Sequence, residues 1–378
     1  IPRREFLYGR HHIRRYMAAL FAAGGLGKSS LLVTDALAMV TGKPLLGDKS
    51  ERPLRVWLTN VEDPLDELER KVEATACHFG ITSEDIGGRL FLSSGRESDF
   101  TIATESRSGI VIQEPIVEAV VAHAKANAID VIMIDPFVST HHVNENDNAA
   151  IQSVAATWLA IADAVGCSLE LAHHVTKAVG EVDENSGRGA GALKDKARAV
   201  RVLNRMSADE ATRWGISPED RFSYFRADLA KANLAPAGGR STWYRFVNVP
   251  MGNGNGLTKP QDHTGVVERW FPPTEEEAAA KAEAERQALV ADVDPDTLAG
   301  IKTRLQAGNY KRSDQAQHWA GKVVAEILGI DLAAPGEKAR VKGMLAAWIA
   351  SGDLEVVSIE DAHRRPTPHI KPCGTTSN

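Results

Sequence analysis

Residues 16–41 read YMAALFAAGGLGKSSLLVTDALAMVT. An apolar run, Tyr16 to Ala23, predicts a strand; a glycine-rich turn follows, and Ser29 to Val40 carries the spacing of an amphipathic helix. Strand, glycine turn and helix in that order are the setting a Walker A loop requires, and the turn itself, AAGGLGKS over 22–29, has that motif's spacing. Gly24, Gly25 and Gly27 let backbone N–H groups converge on phosphate oxygens, and the helix that follows points its positive dipole end at them. Lys28 then reaches the terminal phosphates, Ser29 ligates magnesium, and Leu26 and Ser30 complete the contacting stretch. Ala22 stands where the strict pattern has its first glycine, which affects how sharply the loop opens. A glycine-rich turn without a ligand is the plain alternative, and the adjacent Gly-Lys-Ser argues against it. The expected ligands are ATP and Mg2+.

Outward from this loop, residues 1–250 alternate short apolar runs with helical patterns, as a mostly parallel sheet with crossover helices does. Further strands are expected at Leu54 to Val61, Arg89 to Leu92, Ile129 to Ile134 and Cys167 to Ala172. Helices are expected at Pro64 to Phe79, Glu114 to Asn127 and Asn148 to Val165. Three later runs, Ala199 to Asn204, Arg221 to Asp228 and Thr242 to Val249, read as antiparallel strands extending the sheet. The Gly/Asn-rich segment 251–258 ends this domain, giving a core over 1–255, a linker with an exposed Ala/Glu/Lys helix over 256–292, and a smaller domain over 293–378. In that last domain, helices near 295–307, 313–328 and 336–350 precede strands Leu354 to Ile359 and Pro368 to Pro372, the order of a winged helix.

Two strands end in carboxylates. IDVIMID, 129–135, places Asp135 where a Walker B aspartate holds a water of the magnesium shell; a bare turn cap before Pro136 is the alternative. Leu54 to Val61 runs into Glu62-Asp63-Pro64, and Glu62 is the candidate to orient the attacking water. Asp63 reads as the N-cap of the next helix.

Composition narrows the rest. With 43% hydrophobic and 25% charged residues the chain is expected to fold rather than stay disordered. No apolar run of membrane length and no secretory pattern occurs, so a cytoplasmic protein is expected. Cys77, Cys167 and Cys373 are far apart and read as buried or idle thiols. A net charge of −6 means that any nucleic-acid site is concentrated rather than spread over the surface.

GGLGKS, NVEDP, MIDPF with HHVNENDNA, GCSLELAHHVTK, RGAGALKDKAR and DLAKANLAP, taken in that order, resemble the RepA-type hexameric replicative helicases of plasmids, within the RecA/DnaB-like ATPases. The resemblance implies a RecA-like P-loop core, a homo-oligomer of the hexameric kind, and single-stranded DNA as partner. It implies that His174 is the histidine that senses the γ-phosphate. Arg198 matches the arginine finger inserted into a neighbour's site, and Arg188 and Lys231 lie in matching motifs at the subunit interface near the phosphates. The segments Ser139 to Asn148 and Val175 to Leu193 correspond to channel-facing DNA loops, although the first has His141 and His142 rather than lysines or arginines, and neither offers aromatic stacking platforms. Lys338, Arg340, Lys342, His363, Arg364 and Arg365 in the last domain form either a duplex-binding face or ordinary solvated charge on a protein-docking module. The expected function is therefore a magnesium-dependent ATPase acting as an oligomeric helicase in plasmid or phage replication. The rival is an ATP-controlled DNA-binding initiator or regulator without unwinding activity. A recombinase filament and a small-molecule kinase are weaker alternatives, since no polymerisation segment and no acceptor lid is visible.

Overall fold

Along the strand that leads into the phosphate loop, Leu20 and Ala22 pack to one side, while Met17, Ala19 and Phe21 pack to the other. This period of two, apolar on both faces, is what a strand covered by helices on each side requires. In the computed structural model all residues are described except 108, 176–180, 184–189, 235–240, 257, 361–364 and 375–378. The chain forms two compact units, Ile1–Thr212 with Ile216–Pro272, and Arg213–Gly215 with Pro273–Asn378.

The first unit opens with a hairpin, β1 (Phe6–Tyr8) and β2 (His12–Ile13), followed by β3 (Met17–Ala23), α1 (Lys28–Thr41), β4 (Val56–Asn60), α2 (Leu65–Phe79), α3 (Ser83–Ile86) and β5 (Leu90–Ser94). Next come β6 (Ala103–Ser106), β7 (Gly109–Ile112), α4 (Glu114–Ala126), β8 (Val131–Asp135), β9 (His141–His142), α5 (Asn148–Val165) and β10 (Ser168–Val175). The unit closes with α6 (Ala190–Lys196), β11 (Ala199–Arg205), α7 (Ala208–Arg213), β12 (Tyr224–Ala232), β13 (Thr242–Pro250) and β14 (His263–Arg269). Among the described residues nine strands form one sheet, in the order β14-β13-β12-β11-β3-β10-β8-β4-β5. From β11 through β5 every neighbouring pair is parallel; β12, β13 and β14 extend the sheet antiparallel. This is the α/β core with a mostly parallel sheet that the sequence predicts. The first unit runs past residue 255 because β14 pairs with β13 all along its length, Val266 and Val267 being fully buried. Its polar ends, His263 and Arg269, hide that strand in the sequence.

One face of the sheet packs against α1 and α2, through Leu31, Leu32, Leu37 and Leu68; the other packs against α4 and α5, through Val120, Ile151, Val154 and Trp158. A small three-stranded sheet, β7-β6-β9, lies outside the main one. β9 pairs with β6, Ala103 beside His141, so His141 is buried while His142 is exposed. His141 is thus a core residue and not part of a channel-facing loop. Among the described residues no helix is long and apolar enough to cross a membrane. Cys77, Cys167 and Cys373 are free thiols; Cys167 alone is buried, and burial pushes its thiol up to about 12.

In the second unit α8 (Glu275–Val290), α9 (Pro295–Ala307), α10 (Ala320–Leu328) and α11 (Glu337–Ala350) precede the hairpin of β15 (Leu354–Glu360) and β16 (Pro366–Pro372). Ile301, Leu305, Trp319, Val324, Val341, Trp348 and Ile370 make its core, with Leu289 and Val290 of α8 packed against it. The helix expected from residue 313 starts only at Ala320. The stretch before it pairs with Lys311 instead, Lys311 N donating to His318 O at 2.7 Å and Ala320 N to Lys311 O at 3.0 Å, while Tyr310 and Arg312 pair with β16, Ile370 N donating to Tyr310 O and Arg312 N to Pro368 O, each at 3.0 Å.

Trp158 is fully buried on α5, and its indole N–H donates to Thr140 Oγ1 at 3.1 Å. Trp158→Ala should lower unfolding free energy by roughly 3–5 kcal/mol in urea titrations. A loss under about 1 kcal/mol would contradict the packing described.

Candidate nucleotide-binding site

Parallel register brings four strand ends to one edge. His174 on β10 lies beside Ala22 on β3, and Asn60 on β4 lies beside Asp135 on β8. The phosphate loop leaves β3 at this edge and enters α1 through Gly27, which has φ +89°. No side chain caps that helix start and its first turn holds no acidic residue, so its amides are left to an anion. A Cβ on Gly27 would lie 1.9 Å from Phe246 Cζ, so both the backbone angle and the Phe246 ring exclude any other residue.

Lys28 and Asp135 are both buried, with Lys28 Nζ 2.8 Å from Asp135 Oδ1 and 3.1 Å from His174 Nε2. Ser29 Oγ donates to Asp135 Oδ2 at 2.5 Å. The Lys28–Asp135 contact is an ion pair without hydrogen-bond alignment, leaving Asp135 Oδ1 with no hydrogen-bond partner. A hydroxyl facing a buried carboxylate, oxygen donors only, is a set that suits Mg2+. The residues present therefore fit the ion that a phosphate loop implies.

Glu62 is exposed beyond β4, its Oε2 4.0 Å from His174 Nε2 and its Oε1 accepting from Ser139 Oγ at 3.2 Å. Asn60 builds this turn, its Oδ1 accepting from the backbone N–H of Glu62 at 2.9 Å and of Asp63 at 2.7 Å. Asp63 does not cap α2, whose N-cap is Pro64; it accepts instead from Lys71 Nζ at 2.9 Å. Burial, then Lys28, lower the His174 imidazole from its ordinary value, with Asp135 and Glu62 opposing. His174 is thereby a neutral ring at neutral pH, poised between the lysine and the candidate water-orienting carboxylate.

Lys28, Ser29, Glu62, Asp135 and His174 thus stand together. Arg198 does not join them. Ala199 pairs with Ala18 at the start of β3, which places the exposed Arg198 at the opposite edge of the sheet, roughly 16 Å along the strand from its own loop. Lys231, paired with Val200, is at that same far edge, where its Nζ donates to Lys194 O at 2.6 Å; burial lowers its ammonium from the ordinary value. Arg188 lies outside the described residues, as does most of the expected DNA loop 175–193. Sequence reasoning placed Asn60 in the NVEDP motif and Ser139 in an expected DNA loop without giving either a role at this site, and it missed Phe246 and Arg205, whose Nη2 donates to the phosphate-loop carbonyl of Gly25 at 3.2 Å. Nothing in their spacing marks them, since each is defined by its neighbour across a strand or turn.

Residues 1–180 match the AAA domain family. That stretch of the chain is similar to a nucleotide-binding ATPase domain. Two solved structures are similar to the chain. One is an isolated ATPase domain, at TM-score 0.43 and 14% identity over 62% of this chain and 82% of that one. The other is a DnaB-like replicative helicase, described with its interactions with primase, at TM-score 0.43 and 14% identity over 62% of this chain and 56% of that one. The chain therefore spans little more than half of the second. The AAA match, with the phosphate loop and the oxygen pair beside it, supports an NTP hydrolase.

Gly27→Ala should weaken binding of a fluorescent ATP analogue about 100-fold or more, as strain at φ +89° and the Phe246 ring distort the loop. Affinity within a factor of about three of the parent would contradict that role. Elsewhere, burial, with His173 next in weight, pushes the His141 imidazole down to about 4. Native His141 thus stays neutral while the unfolded chain takes up a proton near pH 6.5, so this contribution is complete above 6.5 and lost as pH falls toward 4. Thermal midpoints measured across that range should fall, and His141→Asn should flatten the slope; an unchanged slope would refute the assignment.

Proposed function

We propose that the chain is a magnesium-dependent ATPase that works as a ring-forming, RepA-type hexameric helicase or translocase on single-stranded DNA in plasmid or phage replication. The observation that carries this reading is the separation of Arg198 from the phosphate loop of its own chain. A cation near the start of β11 cannot reach its own triphosphate, but it is free to enter a neighbour's site. In each site Lys28 binds terminal phosphate oxygens, Ser29 and Asp135 hold the metal ion, and Glu62, steadied by Ser139, orients water. Magnesium, when bound, supplies charge neutralisation between the phosphates. His174 exchanges its contact with Lys28 for one with the γ-phosphate, coupling occupancy to the 175–193 segment. Arg198 of the adjacent copy completes the site, and Lys231, beside the start of β11, belongs to the same junction.

The second unit is read as a winged helix, supported by residues 310–312 pairing beside the β15–β16 hairpin after its helices. Its basic residues are partly neutralised. Lys338 and Lys342 sit 3.5 and 3.2 Å from Asp314, and Arg340 sits 3.4 Å from Glu337. This favours a docking role over strong duplex binding, and His363 and Arg364 lie outside the described residues.

The test is complementation. Lys28→Ala and Arg198→Ala should each abolish ATPase activity, while an equal mixture regains up to about a quarter of the parent rate, because one interface in four pairs an intact loop with an intact finger. Activity in unmixed Arg198→Ala, or a rate per chain independent of concentration, would overturn the shared site. ATP-dependent displacement of a strand from a tailed duplex supports the motor; duplex binding without displacement supports the initiator reading instead.

A further inference from the structure

Beneath α1, away from the phosphates, the first unit buries a polar cluster that ATP chemistry does not use. His11 is 5% exposed, and His12 and Glu170 are fully buried. One ligand atom from each lies within 4.8 Å of the others. His12 Nε2 and Glu170 Oε2 are only 3.1 Å apart, yet neither atom has a hydrogen-bond partner, and His11 Nε2 has none either. His11 Nε2 is left without a partner, and His12 Nε2 and Glu170 Oε2 meet only as an ion pair without hydrogen-bond alignment, a costly arrangement in the core if nothing lay between them.

The residues around the three hold them in place, although Arg201 Nε is itself without a hydrogen-bond partner. His12 Nδ1 meets Ser168 Oγ at 3.1 Å, which fixes the ring. Arg201 donates to Glu170 Oε1 at 2.7 Å and to Asp35 Oδ2 at 2.8 Å, and the Tyr8 hydroxyl donates to Asp35 Oδ1 at 3.1 Å. One guanidinium therefore faces two carboxylates.

We propose that His11, His12 and Glu170 form a structural site for a zinc-type divalent cation that clamps the β1–β2 hairpin to β10 beneath the phosphate-loop helix. Two imidazole nitrogens and one carboxylate oxygen are a donor set for zinc; His12 Nε2 and Glu170 Oε2, 3.1 Å apart, match the edge of its tetrahedron, and an atom of His11 lies within 4.8 Å of both. Ser168 and Arg201 orient the ligands from behind, in the way outer partners of metal-binding groups do. The 3.1 Å contact between His12 and Glu170 lacks the alignment of a hydrogen bond, so no direct bond between the two satisfies either atom. The site is independent of the nucleotide reading. Glu170 lies four residues before His174 on β10, and none of the three residues touches the phosphate loop.

The experiment uses the full chain, stripped with a chelator and titrated with Zn2+ by calorimetry and with Co2+ by visible absorption. One equivalent per chain is expected, with Co2+ bands of tetrahedral intensity and a melting midpoint raised by about 4 °C or more on zinc addition. His11→Gln and His12→Gln should each lose the bands and the thermal gain while retaining affinity for an ATP analogue. Should either variant fail to fold, the parent titration decides alone. A folded, stripped parent that takes up neither ion stoichiometrically overturns the site. So does one-to-one binding that survives in both variants. If the ATP analogue binds and zinc does not, only this inference fails.

Discussion

Parallel pairing of β3, β10, β8 and β4 is the constraint on which the site depends. In a parallel sheet each strand ends at the same edge, so a loop leaving one strand and side chains closing three others meet without any element reaching out for them. A shift of one residue between β10 and β3 would turn His174 to the other face and Glu170 with it. The apolar alternation of Leu20 and Ala22 against Ala19 and Phe21, buried on both sides, resists that shift.

The same geometry separates two edges. Lys28, Ser29, Asp135, His174 and Glu62 stand at the strand ends, while Arg198 and Lys231 stand where β11 begins. A single chain therefore carries the phosphate-loop cluster at one end of the strands and the cations Arg198 and Lys231 at the other, and the proposed ring reading rests on that separation. The polar cluster of Arg201, Asp35 and Glu170 lies between the two edges and links β11, α1 and β10.

What was legible in the sequence is what local chemistry dictates. The phosphate loop is marked by glycines beside Lys28, the buried strands by continuous apolar runs, and Asp135 by ending such a run. The β6–β7–β9 sheet and β14 were not legible, because short strands with exposed polar residues carry no clear period and are stabilised by pairing with distant segments. Asp63 failed as a helix cap for a related reason: Lys71, on the following helix, offered its carboxylate a charged partner, and the helix began after Pro64 instead. The early start expected for α10 gave way to pairing of His318 and Ala320 with Lys311 just upstream. Asn60, Ser139, Arg205 and Phe246 were silent because their significance lies in what they touch.

The most direct test of the central claim is a crystal structure of the chain with magnesium and a non-hydrolysable ATP analogue. The account predicts phosphates over the 22–29 turn, Lys28 transferred from Asp135 to a phosphate oxygen, and the ion held by Ser29 with Asp135 behind it. An analogue bound elsewhere, with the Lys28–Asp135 pair intact, would contradict it.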